Sequence, residues 1–508
     1  MSRRHILILI LILILAGFLR FYQLTSTPPG LYPDEAMNGN NALEALHTGN
    51  FKIYYPENNG REGLFIDIQA AFLKYFGVNE AWALRLPSAI FGTLTVLGMY
   101  FLAAELFSSP IGLLSAFFLA TNFWHINFSR IGFRAIMAPL LLVWALYLLI
   151  RALRKVKTTS YSLLAICAGI LYGLGFYTYI AYRVTPVLMG IIILWHWYAN
   201  KEPARRRIIL FSTFYFLFSA FLVALPIGLY YLGHPADFFG RTSEISIFSS
   251  PAPLHDLGVN ILKTAGMFNF EGDGNWRHNY AGRPELFLPV GVLFLIGLTL
   301  AIKNIIQNLK IKYQNYSLKI ESYPAPQGSK ILHFDFSFLI LMLWFLLAAL
   351  PVVISNEGLP HALRAILMLP PVIILAAVGG VALYNVFTKY APRNFLRGAA
   401  VIVIVIVTAE AYQTYFLRWA SNPNVHGAFA ADYVAIGREM NRLPQGTPKY
   451  VVVEAGGVNI RGVPMPAQTV MFITNSFLPE MQAQKNIHYI LPTDSHNIRE
   501  NAGIFYIR

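Results

Sequence analysis

Cysteine is almost missing: Cys167 is the only one in 508 residues, and it lies in an apolar run. An intrachain disulfide and a thiolate metal cluster are thereby excluded. Charge is also scarce, at 13% of residues against 56% hydrophobic, and mean hydropathy is +0.51. That balance excludes an ordinary soluble domain. Acids are fewer than bases, 25 against 39, for a net charge of +14. The excess Lys and Arg fall in clusters between apolar spans, so basic membrane-flanking loops account for them and no nucleic-acid partner is called for. The chain lacks a Ser/His/Asp nucleophile motif, a phosphate-binding glycine loop, zinc-ligand spacing and internal repeats. It is therefore no obvious ATP-driven pump.

Long apolar runs are abundant, and they define a polytopic α-helical membrane protein. With roughly 20 apolar residues needed per crossing, hydropathy gives about eleven spans. They lie near 5–24, 86–106, 110–127, 133–150, 160–177, 184–199, 207–232, 286–303, 334–354, 364–388 and 397–418. The N-terminal run begins like a signal peptide, with Arg3-Arg4 and an Ile/Leu stretch. Leu19-Arg20-Phe21-Tyr22 makes a poor cleavage site, so a retained first helix is expected. With the N-terminus cytoplasmic, each dense basic cluster falls inside: Arg3-Arg4, Arg151/Arg154/Lys155/Lys157, Lys201/Arg205/Arg206/Arg207, Lys303/Lys310/Lys312/Lys319/Lys330 and Lys389/Arg393/Arg397. Pro324-Ala325-Pro326 reads as a cytoplasmic linker. The opposite side then receives the loops richest in unusual residues, which places the chemistry on the external face. A first domain is expected over 1–418, with an external catalytic loop and juxtamembrane helices at 25–85. A small external module with some strand follows at 419–508, marked by Val451-Val452-Val453, Gly456-Gly457 and Pro464/Pro466.

The first external loop concentrates acids. Asp34-Glu35 follows Pro33, and a carboxylate beside a membrane-embedded cavity can take a proton from a hydroxyl. The same pair equally suits the first turn of a short helix. Arg61-Glu62 follows Asn58-Asn59-Gly60 and precedes an apolar stretch, as either a loop ion pair or a substrate contact. Arg134 and Tyr179 to Arg183 stand at the ends of spans, where arginines also snorkel to headgroups and tyrosines form interfacial belts. The stretch from Glu271 to Tyr280 has an Asp-x-Asn spacing like a calcium loop but lacks the remaining ligands. Its Trp276, His278 and Tyr280 are suited to stacking on a sugar. His361 and Arg364 precede an apolar helix continuing into Leu369-Pro370-Pro371, a suitable place for a phosphate.

Taken in order, these residues resemble the GT-C type membrane glycosyltransferases. The likeness is to family 39, the protein mannosyltransferase-like group, and to the related aminoarabinose transferase that modifies lipid A. The resemblance runs from about Leu19 to Ala420. It rests on Asp34-Glu35, on Arg85-Leu86-Pro87-Ser88-Ala89-Ile90-Phe91-Gly92, and on Phe128 to Arg134. Tyr179-Ile180-Ala181-Tyr182-Arg183, Arg277-His278-Asn279 and Pro360-His361-Ala362-Leu363-Arg364 complete it. It implies a GT-C fold, a sugar donated from a polyprenyl monophosphate, and inversion at the anomeric carbon. Asp34 would be the base and Glu35 a neighbour that orients it or the acceptor. Arg61, Glu62, Arg134, Tyr179, Arg183, Arg277, His278, Asn279, His361 and Arg364 would bind substrate. At the family's second acidic position this chain has Arg61-Glu62-Gly63-Leu64, where many relatives carry a Pro-Pro-Leu run. No cofactor is required, while a divalent metal is compatible with Asp34, Glu62 or His278. The acceptor would be a protein, lipid or glycan hydroxyl, and the location a prokaryotic inner membrane. The competing reading is a lipid or glycolipid transporter or flippase without transferase activity. That reading predicts paired ionisable groups at mid-membrane and repeated halves, whereas the charges here gather at one face.

Overall fold

The computed structural model describes residues 2–77, 79–154, 160–244, 246–318 and 329–508. The expected linker at Pro324-Ala325-Pro326 lies outside the described residues, as do Lys155, Lys157 and Lys319. Among the described residues, nine helices are long and apolar enough to cross a membrane, and two shorter apolar helices accompany them, Ser109–Thr121 and Tyr161–Gly175. Each of the eleven hydropathy spans thus has a helical counterpart. The 110–127 span is the clearest departure. Its helix stops at Thr121 because the Asn122 side chain accepts the His125 N–H at 3.0 Å and opens a new short helix, Phe123–Phe128.

The first helix, α1 (Arg3–Phe21), packs Leu9, Ile12, Ala16 and Leu19 into the main core. Buried arginines, rather than apolar contact alone, fix where α1 ends. Arg20 donates to the carbonyls of Ala16, Leu119 and Ala120 and meets His125 Nδ1 at 2.6 Å. Arg130 donates to the carbonyls of Leu19, Tyr22 and Thr27 and lies over the Phe416 ring at 4.9 Å. Both are fully buried. Arg20 thus satisfies carbonyls in the last turn of the Ser109–Thr121 helix, and Arg130 satisfies carbonyls at and beyond the end of α1.

The loop after α1 folds into α2 (Pro33–Thr48), the hairpin of β1 (Tyr54–Tyr55) with β2 (Arg61–Glu62), and α3 (Leu64–Phe76). It then enters the long helix α4 (Ala81–Leu106). The last apolar helix, Arg393–Tyr412, runs on through a π-helical turn to Trp419. The module beyond it builds a three-stranded parallel sheet of β3 (Lys449–Val453), β6 (Ile487–Ile490) and β7 (Gly503–Ile507), in the order β6-β3-β7. It also carries a small hairpin of β4 (Asn459–Ile460) and β5 (Val463–Pro464).

This module is seated on α2. Asn40 donates to the Gln468 carbonyl and side chain at 3.1 and 2.9 Å, and Thr469 donates to the Leu31 carbonyl at 2.9 Å. Met37 of α2 belongs to the module's own apolar cluster. At Gly39 a Cβ would overlap the Phe472 ring, so close helix-to-helix approach requires glycine there.

Candidate active site

Five loops distant in sequence converge on one cavity of about 850 Å³. They are the start of α2 with the β1–β2 turn, 133–135, 179–184, 273–278 and 351–364. This size and mixed polarity suit a small polar headgroup with part of an apolar chain.

Asp34 and Glu35 both stand in the first turn of α2, behind Pro33 and at the positive helix end. Adjacent helical residues point about 100° apart, and the structure uses that divergence. Asp34 lines the cavity and accepts the Asn58 side-chain amide at 2.7 Å. Glu35 turns away and is fully buried. It takes a bidentate pair from Arg85 at 2.9 and 3.0 Å and the Gly132 N–H at 2.6 Å. Arg85 also ties down the carbonyls of Pro28 and Gly30. Of the expected pair only Asp34 lines the cavity; Glu35 lies outside that lining and ties the first turn of α2 to Arg85 and Gly132.

Arg61 is buried and donates to Asn38 and Asn41 at 2.7 and 2.6 Å. Burial, then the neighbouring charge of Arg134, pushes it down to about 10, which leaves it a cation at neutral pH. Glu62 meets Arg134 at 2.7 Å, and Arg134 lies over the Tyr179 ring at 5.7 Å. Arg183 donates to the Phe238 carbonyl and the Tyr231 hydroxyl at 2.7 and 3.1 Å. All five of these side chains line the cavity.

Arg277 stacks on Tyr32, at the start of α2, at 3.8 Å and, among the described residues, forms no ion pair with a carboxylate. Burial lowers it to about 10, so it too keeps its charge. Arg364, buried, is held by Ser355 and by Glu357 at 2.8 Å. Asp273 Oδ2 meets His278 Nδ1 at 2.9 Å, with His361 Nδ1 at 3.9 Å. The three ligand-type atoms lie within 4.8 Å of one another. The expected metal set is corrected by this geometry. His278 is grouped with Asp273 and His361, whereas Glu62 is paired with Arg134. Asp34 belongs to no such cluster among the described residues. Asn279 is also corrected, because it lies outside the cavity and donates to the Arg283 carbonyl at 2.5 Å.

Sequence reading passed over Asp273, Asn38, Asn58 and Tyr32. For Asp273 a signal existed in the calcium-like spacing. In the fold that spacing makes two successive Asx turns: Asp273 accepts Asn275 N–H at 2.8 Å, and Asn275 accepts Arg277 N–H at 3.0 Å. These turns bring Arg277 and His278 to the cavity, while the other oxygen of Asp273 meets His278 and accepts the Ala362 N–H at 2.8 Å.

Comparison with protein families matches residues 65–230 to the dolichyl-phosphate-mannose-protein mannosyltransferase model. No curated protein sequence matches. Among solved structures, the oligosaccharyltransferase of Archaeoglobus fulgidus in its apo form is similar at TM-score 0.52 and 13% identity, over 92% of this chain and 64% of that one. This chain therefore spans under two thirds of that protein. The same archaeal enzyme, AglB, in complex with an inhibitory peptide and a dolichol-phosphate gives 0.52 and 13%, over 97% and 70%. ArnT from Cupriavidus metallidurans bound to undecaprenyl phosphate gives 0.54 and 13%, over 98% and 91%. At such identity the likeness is one of fold.

Proposed function

We propose that this chain, which has the GT-C fold of the membrane glycosyltransferases, is an inverting glycosyltransferase that moves a sugar from a polyprenyl-monophosphate donor to an acceptor hydroxyl. The observation that carries this reading is one cavity lined together by Asp34, Arg277, Arg364 and two histidines. A base and several cations in one cavity suit attack on an anomeric carbon with departure of a phosphate.

Asp34 takes the proton of the acceptor hydroxyl as the acceptor oxygen bonds to the anomeric carbon. The bond from that carbon to the phosphate oxygen breaks, its electron pair leaves with the polyprenyl phosphate, and configuration inverts. The phosphate is already an acceptable leaving group, so no second carboxylic acid is needed, unlike in glycosidases. Arg277 and Arg364 stabilise the charge that builds on it. Arg61, itself linked to Asn38 and Asn41, keeps the neighbourhood of Asp34 polar and cationic. Glu62 with Arg134 and Tyr179, and Arg183, border the rest of the cavity and serve as contacts for sugar or acceptor. The basic clusters between spans support placing the cavity on the external face, with the N-terminus cytoplasmic.

The Asp273, His278 and His361 donor set fits a divalent cation such as zinc or manganese. A cation there would add positive charge beside the leaving phosphate. Calorimetric titration of the purified protein with MnCl2 and ZnCl2 is expected to show one saturable site, weakened at least about tenfold by His278→Ala. Equal affinity in the variant sinks the assignment.

The function is tested by presenting radiolabelled hexoses and pentoses on polyprenyl phosphate to the purified protein in membranes that carry acceptors. Transfer of label with release of polyprenyl phosphate is expected. Binding and bilayer translocation of the lipid without any transfer would overturn the enzyme reading in favour of a transporter.

A further inference from the structure

The C-terminal module contributes no residue to the lining of the cavity, yet one of its side chains reaches the loop beside Asp34. Arg461 stands at the tip of the β4–β5 hairpin, in a two-residue turn between Ile460 and Val463. Its backbone is left-handed, with φ 52°, and Gly462 follows at 90°. Turns with two positive φ values favour Asn, Asp or Gly at the first position, and an arginine there bears a conformational cost. Such a cost at one residue directs attention to its side chain.

That side chain, partly exposed, makes three contacts. Its guanidinium lies over the Phe477 ring at 4.5 Å, donates to Glu57 at 2.6 Å and donates to Glu44 of α2 at 3.0 Å. The Glu57 carboxylate also accepts from Asn41, whose oxygen receives Arg61. Burial alone would raise the Glu57 carboxyl, but the bonds from Arg461 and Asn41 hold it below the ordinary carboxylate range. Immediately after Glu57 come Asn58, Asn59 and Gly60, with φ of 53°, 61° and 77°. Three consecutive left-handed residues make a turn that needs outside support, and it is Asn58 that bonds Asp34. At Gly60 a Cβ would overlap the Tyr54 hydroxyl, so the turn is also pressed tightly against β1.

We infer that Arg461 is a positioning residue for the reaction at Asp34: the module acts through this bridge to hold the 57–60 turn, and Asn58 in turn orients the carboxylate. The inference rests on the glycosyltransferase reading above. The module thus affects turnover without contacting substrate.

Arg461→Asn is the informative variant, because asparagine suits the left-handed backbone better than arginine and keeps the hairpin folded. Transfer from polyprenyl-phosphate sugars is expected to lose about tenfold or more in kcat, with donor KM unchanged and the thermal midpoint equal or higher. Arg461→Lys is expected to restore part of the rate by keeping one cationic bridge. Hydrogen exchange is expected to quicken over residues 54–62 in Arg461→Asn and to stay the same in Arg508→Ala, which breaks an exposed ion pair elsewhere in the module. Unchanged exchange over 54–62 overturns the anchoring, and wild-type kcat in Arg461→Asn overturns the positioning role. If wild type itself transfers from no donor, the glycosyltransferase reading falls and this one with it; the two failures are told apart by the wild-type arm.

Discussion

Asp34→Asn is expected to cut kcat for sugar transfer by about 10²–10⁴-fold and to leave donor KM within about twofold. The substitution keeps shape and volume, and an amide oxygen still accepts the Asn58 amide that now binds Oδ1 at 2.7 Å. The variant removes only the capacity to hold a proton. Arg277, Arg364 and the Asp273/His278/His361 group, which face the leaving phosphate in the proposed mechanism, are untouched, so donor binding persists. Lost turnover with retained binding of polyprenyl phosphate is the pattern of a base that acts only in the transition state. Asp34→Glu moves the carboxylate outward by one methylene and is expected to recover part of the rate. Transfer by Asp34→Asn at the wild-type rate would remove Asp34 from the mechanism, and loss of donor binding instead would reassign it to substrate recognition.

Hydropathy made the helical scaffold legible, because crossing a bilayer imposes length and polarity on a segment regardless of its neighbours. The lining of the candidate cavity was legible at the level of loops: four expected loops and the turn at Ser129 to Arg134 each supply residues to it. Which side chain of a loop faces inward was not. Asp34 and Glu35 are equivalent in composition and position, and only the docking of Arg85, 50 residues on, directs one to the core and leaves the other in the cavity. Asn279 likewise follows His278 but is turned aside by the Arg283 carbonyl. Arg130 and Arg134 share one short turn. Arg130 closes the end of α1, and Arg134 borders the cavity with Glu62. The parallel order β6-β3-β7 joins strands far apart in the chain, which local alternation does not encode.

The strongest separation of the two neighbouring acids lies in stability. Glu35→Ala is expected to destabilise the protein by about 3–5 kcal/mol, since it leaves Arg85 charged, buried and without its carboxylate. Glu35→Gln costs less, because the amide oxygen can still accept the Gly132 N–H, but it cannot neutralise Arg85. Replacing both partners with methionine is not expected to recover the loss fully. Arg85 also satisfies the Pro28 and Gly30 carbonyls, and Glu35 satisfies Gly132, so an apolar pair strands three backbone groups. Those three groups belong to the loop before α2 and the turn beside the cavity, so the fall in thermal midpoint should bring a fall in activity with it. Asp34→Asn, by contrast, should unfold at the wild-type midpoint while inactive. Thermal unfolding of the purified variants in detergent decides the matter. A wild-type midpoint for Glu35→Ala would show that the buried pair does not anchor α2, and would remove the physical reason for assigning base and anchor to different acids.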